Sequence, residues 1–207
     1  PIYDGLLTLD NVNFKIGNAN ATSSAMDIEF ESNSVLTLNG FSITVGNLSG
    51  DGSVSLGSKT LTINQAGSST IAQDFSGSGG GITLNNSLGS AMNIALTGSN
   101  THTGDTWVKG LVTLEIGSAN SLQSSRVKLD DTATLDMGEG ITLTGGLLLN
   151  GGANYVNLDS GSSTLSGPIS GAGNLYKTGE GVLTLSGTNS GTGKTYIQDG
   201  ALKISAG

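Results

Sequence analysis

Apolar residues in this chain come in short alternating runs and never in long helical stripes. Val35-Leu36-Thr37-Leu38, Phe41-Ser42-Ile43-Thr44-Val45, Leu61-Thr62-Ile63, Ile82-Thr83-Leu84, Leu114-Glu115-Ile116 and Val182-Leu183-Thr184-Leu185 all follow this pattern, separated by Gly, Ser and Asn. A period of two turns alternate side chains to opposite faces of a strand, so the Leu, Ile and Val of each run face a core while Thr, Ser and Asn face water. The glycines, 34 of 207 residues against 2 prolines, leave little room for helices and supply corners where the chain must turn tightly. Aromatics at 4% imply a thin, aliphatic core. Short strands at close, even spacing fit a sandwich, an antiparallel barrel or a solenoid.

Internal repetition separates these possibilities. An apolar residue, Ser and Gly-x-Gly recur at Leu48-Ser49-Gly50-Asp51-Gly52, Phe75-Ser76-Gly77-Ser78-Gly79 and Ile169-Ser170-Gly171-Ala172-Gly173. A longer match aligns Ile94-Ala95-Leu96-Thr97-Gly98-Ser99-Asn100 and Thr103-Gly104-Asp105-Thr106-Trp107-Val108 with Leu183-Thr184-Leu185-Ser186-Gly187-Thr188-Asn189 and Thr192-Gly193-Lys194-Thr195-Tyr196-Ile197. The offset is constant at 89, the difference between 183 and 94, and Leu202-Lys203-Ile204 then matches Leu114-Glu115-Ile116 after a one-residue slip. At roughly 20 to 25 residues per solenoid turn, that offset is about four turns of one stack. The same step size predicts roughly eight turns for the whole chain.

The segment from Ile169 through Lys203 contains Leu175-Tyr176-Lys177-Thr178-Gly179-Glu180-Gly181-Val182-Leu183-Thr184-Leu185-Ser186-Gly187-Thr188-Asn189 and Tyr196-Ile197-Gln198-Asp199-Gly200-Ala201-Leu202-Lys203-Ile204. It resembles the passenger-associated transport repeat of bacterial autotransporters. Asn100-Thr101-His102-Thr103-Gly104-Asp105-Thr106 is similar to the same repeat's Asn-Thr-aromatic-Thr-Gly-x-Thr core, and the second copy has Gly191 where an aromatic is usual. The resemblance covers residues 75 to 207 well and residues 1 to 45 only in composition. It implies an all-β fold: a single-stranded right-handed parallel β-helix, one continuous domain over residues 1–207, secreted or displayed on a bacterial cell surface. No part of the sequence carries the amphipathic strands of roughly ten residues expected of a translocator barrel.

Charge and residue chemistry exclude several other functions. With 8 Lys and Arg against 16 Asp and Glu, the net charge is -8, and no basic stripe is present to displace phosphate counterions from a nucleic acid. Zero Cys and a single His rule out a disulfide framework and a thiolate zinc site. No apolar run approaches the roughly 18 to 20 residues of a transmembrane helix. The chain opens Pro1-Ile2-Tyr3-Asp4 without an initiator Met or a signal segment, which reads as a processed form or a piece of a longer protein.

Gly191-Thr192-Gly193-Lys194-Thr195 imitates a phosphate loop, but the glycine five places before Gly193 is missing, and Tyr196-Ile197 continues as a strand and not a helix. Arg126-Val127-Lys128, just before the adjacent Asp130-Asp131, loosely resembles the basic tripeptide of pectin-cleaving β-helices, but that family's paired-Asp and Gly-His-Gly segments are missing. The simpler reading turns Arg126 and Lys128 outward, Val127 and Leu129 inward, and makes the acids a turn. Asp51, or Asp130 with Asp131 and Asp136, is a conceivable weak calcium site, although the Gly-Gly-x-Gly-x-Asp nonapeptide is absent. Sequons at Asn20, Asn47 and Asn85 are unremarkable in so Asn- and Ser-rich a chain. The acids otherwise look scattered among turns, so no cofactor, metal or catalytic residue is assigned.

Trp107 and Tyr196 are the candidate surface-contact residues. Strand alternation turns both outward, where each either packs on a neighbouring turn, the favoured reading, or stacks on a sugar or anchors a partner. The expectation is therefore a non-catalytic structural or adhesive module with a cell-surface or carbohydrate ligand. The alternatives are a fibre subunit self-associating through its solenoid ends, where Leu6-Leu7-Thr8-Leu9 and Ala201-Leu202-Lys203-Ile204 carry uncapped alternation, and a polysaccharide-degrading enzyme.

Overall fold

In the computed structural model, residues 3–86, 88–122, 124–130 and 132–205 are described. Pro1, Ile2, Asp131, Ala206 and Gly207 from the sequence reading lie outside them. The described chain winds as a parallel β-solenoid of about nine turns, with every strand pairing parallel. The count lies slightly above the eight expected because turn length varies: 18 residues separate the partners Thr37 and Ser55, and 25 separate Ile71 and Leu96. At about 4.8 Å per strand, nine turns make a rod about 43 Å long.

Strands fall on three faces. The first begins with Tyr3–Leu9, Thr22–Phe30 and Leu48–Gly50, and then runs through a seven-stranded sheet from Ser69–Ile71 to Thr195–Ile197. The second has two four-stranded sheets, Asn13–Lys15 to Asp74–Ser76 and Thr142–Leu143 to Ala201–Ile204. The third is one seven-stranded sheet from Ile43–Val45 to Ile169–Gly171. The gap in the second face is filled by residues 100–102 and the 3-10 turn Ala119–Leu122. There the amides of Thr101 and His102 donate to the Phe75 carbonyl at 2.9 and 3.2 Å, and the Asn100 side-chain amide donates to the Ser121 carbonyl at 2.7 Å.

Alternation is kept in nearly every strand. Leu61, Ile63, Ile82, Leu84, Val108, Val127 and Leu129 are all fully buried along the third face, stacked in register through successive turns. The core is aliphatic, and Phe30 and Phe75 are its aromatic members. Each turn buries its inward residues against the turn on either side, so stability accumulates by nearest-neighbour contact.

Two expectations change. The offset of 89 is not a whole number of turns. From Met92–Leu96 the first face is climbed four times to Asn174–Thr178, and the chain then crosses to Val182–Leu185 on the second face. The repeat unit is thus four and a third turns, and the two copies sit on different faces. The three Gly-x-Gly corners behave alike, ending strands on all three faces at Leu48–Gly50, Asp74–Ser76 and Ile169–Gly171. The second change concerns Ile197 and Ile204. Both lie on the inward register, above Lys177 and Leu185, yet they are 54% and 73% exposed, and among the described residues no strand pairs above them.

Candidate functional site

The first repeat copy forms a buried polar knot. Asn100 is 1% exposed. Its carbonyl oxygen accepts the Phe75 amide at 2.9 Å, and its amide nitrogen also reaches the Gly98 carbonyl at 3.2 Å. A buried amide able to donate and accept in both directions joins a turn to its neighbours below and above. His102, fully buried, lies edge-on to Phe75 at 6.3 Å, occupying the aromatic position of the motif. Its Nε2 is 3.0 Å from Thr106 Oγ1, which is 2.7 Å from Ser125 Oγ, and that hydroxyl donates to the Gly104 carbonyl at 2.7 Å. Burial pushes the His102 pKa down to about 4, against a smaller opposing pull from the Phe75 carbonyl.

The motif glycine has a steric reason in both copies. A Cβ on Gly104 would sit 2.5 Å from the Gly80 carbonyl oxygen, and one on Gly193 would sit 2.0 Å from that of Gly173. In each case the backbone packs directly on the turn below, so Gly193-Lys194-Thr195 is a solenoid corner leading into the strand Thr195–Ile197. No phosphate cradle with a following helix forms there.

Trp107 points outward from the third face between buried Thr106 and Val108. Lys128, its partner one turn on, places Nζ 3.5 Å from the ring centroid, and Lys109 places Nζ at 4.2 Å. Beside them Arg126 holds Asp105 through two bonds of 2.9 Å. Val127 and Leu129 are fully buried while Lys128 faces out. Asp130 accepts the Asn150 side-chain amide at 2.7 Å. Tyr196 lies on the first face, stacked on Tyr176 at 4.6 Å and 15°, and Tyr176 leans on Tyr155 at 5.2 Å. The three rings form a ladder, one per turn.

The acids are less scattered than the sequence suggested. Turns of about 21 residues bring Glu115 beside Asp136 and Asp136 beside Asn157 on the first face, and an open groove of about 320 Å³ is lined by Glu115, Asp136, Glu139 and Asp159. Asp136 has its pKa raised by burial and, more weakly, by Asp159 and Glu115, while a bond from Asn157 opposes the shift. The Asn157 amide donates to both Asp136 and Asp159, at 3.0 and 2.9 Å, so it bridges the two carboxylates into a surface ladder. Asp51 is exposed in a shallow groove it shares with Asp74. Among the described residues no group of three or more His, Asp or Glu is placed to hold a metal. Of the sequons, Asn47 bonds Asp27 and the Ala66 amide, and Asn85 bonds Asn64.

Lys177 occupies an inward position of the strand Asn174–Thr178. It is fully buried, and its ammonium donates to the carbonyls of Thr178 and Gly179 at 2.6 and 2.7 Å. Burial lowers its pKa, offset in part by Asp199 and Glu180. The stem fills a core position and the head ties down a corner.

A family model, the passenger-associated transport repeat, matches residues 94–110 and 175–204, the two segments whose motif residues are described above. The chain is an autotransporter-passenger-like β-helix. No curated protein and no solved structure matches it. The two matched segments of this passenger-like helix sit on turns separated by four and a third windings, with turns outside the match stacked between them on the same ladders. The repeat repeats as a local motif within one continuous stack of the described turns. The composition-only likeness of residues 1 to 45 is matched by a shared architecture: the strands there belong to the same parallel stack.

Proposed function

We propose that this chain is an extracellular rod, displayed at or beyond a cell surface, that presents its long lateral faces for adhesion and carries no catalytic activity. The observation behind this reading is the pairing of the passenger-associated repeat with a parallel solenoid whose surface grooves are open. His102 and Thr106, the residues closest to a catalytic pair, are fully buried and out of reach of any polymer. In the acidic first-face groove, Asp136 and Asp159 are bridged by the Asn157 side-chain amide. Antibody raised against the purified chain should label intact, unpermeabilised cells of the source organism, and brief external protease should remove the label. Signal appearing only after permeabilisation would contradict display.

A further inference from the structure

We propose that the outward third face around Trp107 binds an acidic glycan, a short uronate-type oligosaccharide. This rests on the reading of the chain as an extracellular adhesive rod and supplies the ligand chemistry that reading leaves open.

The face is an electrostatic exception within an acidic molecule. Three of the eight Lys and Arg in the chain, Lys109, Arg126 and Lys128, gather beside its single Trp. Arg126 is neutralised by Asp105, and among the described residues neither Lys109 nor Lys128 has a carboxylate partner. Both ammonium groups instead sit over the indole, an attraction that holds them in place without cancelling their charge. The Trp107 indole N–H also lacks an acceptor among the described residues, whereas covered indole donors usually find one. The indole N–H is itself covered, so the two cations without a carboxylate partner are what call for a ligand, and that ligand is anionic.

The remainder of the surface narrows the class to sugars. Thr44, Thr62, Thr83, Trp107 and Lys128 are successive partners along the third face. A shallow groove of about 420 Å³ beside Trp107 is lined by Thr60, Thr62, Thr83 and Asp105. Thr83 is buried, but the half-buried Thr60 and Thr62 hydroxyls donate and accept, and the fixed Asp105 carboxylate accepts, which matches a ring bearing several hydroxyls. Trp107 and the lysine stems offer apolar contact to the ring's C–H face, and the ammonium groups take the carboxylate. A long nucleic acid would have to lie against a chain of net charge -8, whereas a short uronate needs only this patch.

Because Trp107 is the sole tryptophan, its fluorescence reads the site directly. Titrating the purified chain with oligogalacturonate in low salt should shift the emission saturably. The fully methyl-esterified oligomer should give no shift, since it keeps the sugar backbone and loses the charge. Lys128→Gln should weaken binding at least tenfold, and the Lys109→Gln/Lys128→Gln double variant should abolish it with an unchanged circular dichroism spectrum. A calorimetric titration of Trp107→Ala should show binding lost as well. No emission change, an equal response to the ester, or wild-type affinity in the double variant would overturn the proposal. Equally tight binding of inorganic polyphosphate would also overturn it, because the patch would then be reading charge alone. None of these results bears on surface labelling by antibody, so a failed ligand and a failed display reading are distinguishable.

Discussion

The two copies of the repeat motif share their inward-facing residue types but not their surroundings. In the first copy Thr106, Val108 and Ile116 are 0%, 0% and 2% exposed, each lying under a partner in the next turn: Val127, Leu129 and Met137. In the second, Thr195 is exposed, and Ile197 and Ile204, the counterparts of Val108 and Ile116, are 54% and 73% exposed. The same contrast holds for polar groups. Asn100 is buried and bonded above and below, while Asn189 is exposed with a single backbone bridge to Ile169. The motif is thus only half of a structural unit, and the turn stacked on it supplies the other half. A solenoid's stability should follow coverage more closely than motif identity.

The largest effect should come from matched truncations of the two copies. Ile116→Ala should cost about 2 to 5 kcal/mol, as for other buried Ile or Leu truncations, and Ile204→Ala should change stability by less than about 0.5 kcal/mol, as for surface sites. Urea midpoints of the two variants measure this, and equal losses would break the comparison.

Protonation offers a second test, because only the first copy has a histidine in the aromatic position. His102 titrates near 4 when folded, against an ordinary value of 6.5. Between those two pH values the unfolded chain binds a proton that the folded chain excludes, so stability falls as pH drops through that window, by about 3 kcal/mol in all. Above pH 6.5 the residue is neutral in both states and contributes no slope. His102→Phe should flatten this component, and Gly191→His in the exposed second copy should not reproduce it. Urea denaturation at successive pH values measures both.

Smaller effects sharpen the polar half of the comparison. Asn100→Ala strands the Phe75 amide and the Ser121 carbonyl and should cost about 1 to 3 kcal/mol, while Asn189→Ala should stay within about 0.5 kcal/mol. Smallest of all, Asp136→Asn removes a carboxylate whose charged form is disfavoured by burial. It should leave stability at pH 7 unchanged or raise it by less than about 1 kcal/mol. Reducing-end assays on acidic and neutral polysaccharides should show no cleavage before or after the change. Cleavage lost in the variant would convert the first-face groove into an active site.

Much of this architecture was legible in the sequence, because each link of the argument was local. Alternation in Val182–Leu185 or Val127–Leu129 fixes which side chains face in, and the matched segments mark one stack of turns. Most of what the sequence hid concerns relations between turns. Turn length varies from 18 to 25 residues, so an offset of 89 could not be converted into a face without the actual registers. The same uncertainty hid the approach of Glu115 to Asp136 and of Lys128 to Trp107, each about one turn away in the chain. Both pairs are separated by 21 positions, and a search for charged or aromatic residues at that spacing would have flagged them. Lys177 was obscured for a different reason. Lysine ordinarily marks an outward position, but this one satisfies its ammonium on corner carbonyls and leaves its stem in the core.

The claim that a turn is completed by its neighbour is tested most directly by hydrogen exchange followed peptide by peptide on the intact chain. Amides of Met92–Leu96, Thr106–Val108 and Val112–Ile116 should exchange only through large-scale opening and rank among the slowest in the molecule. Those of Thr195–Ile197 and Ala201–Ile204, despite their matching sequence, should exchange through local fraying at rates at least a hundredfold faster, an opening difference of about 3 kcal/mol. Equal protection of the two copies would mean that the motif is self-sufficient, and would contradict the account.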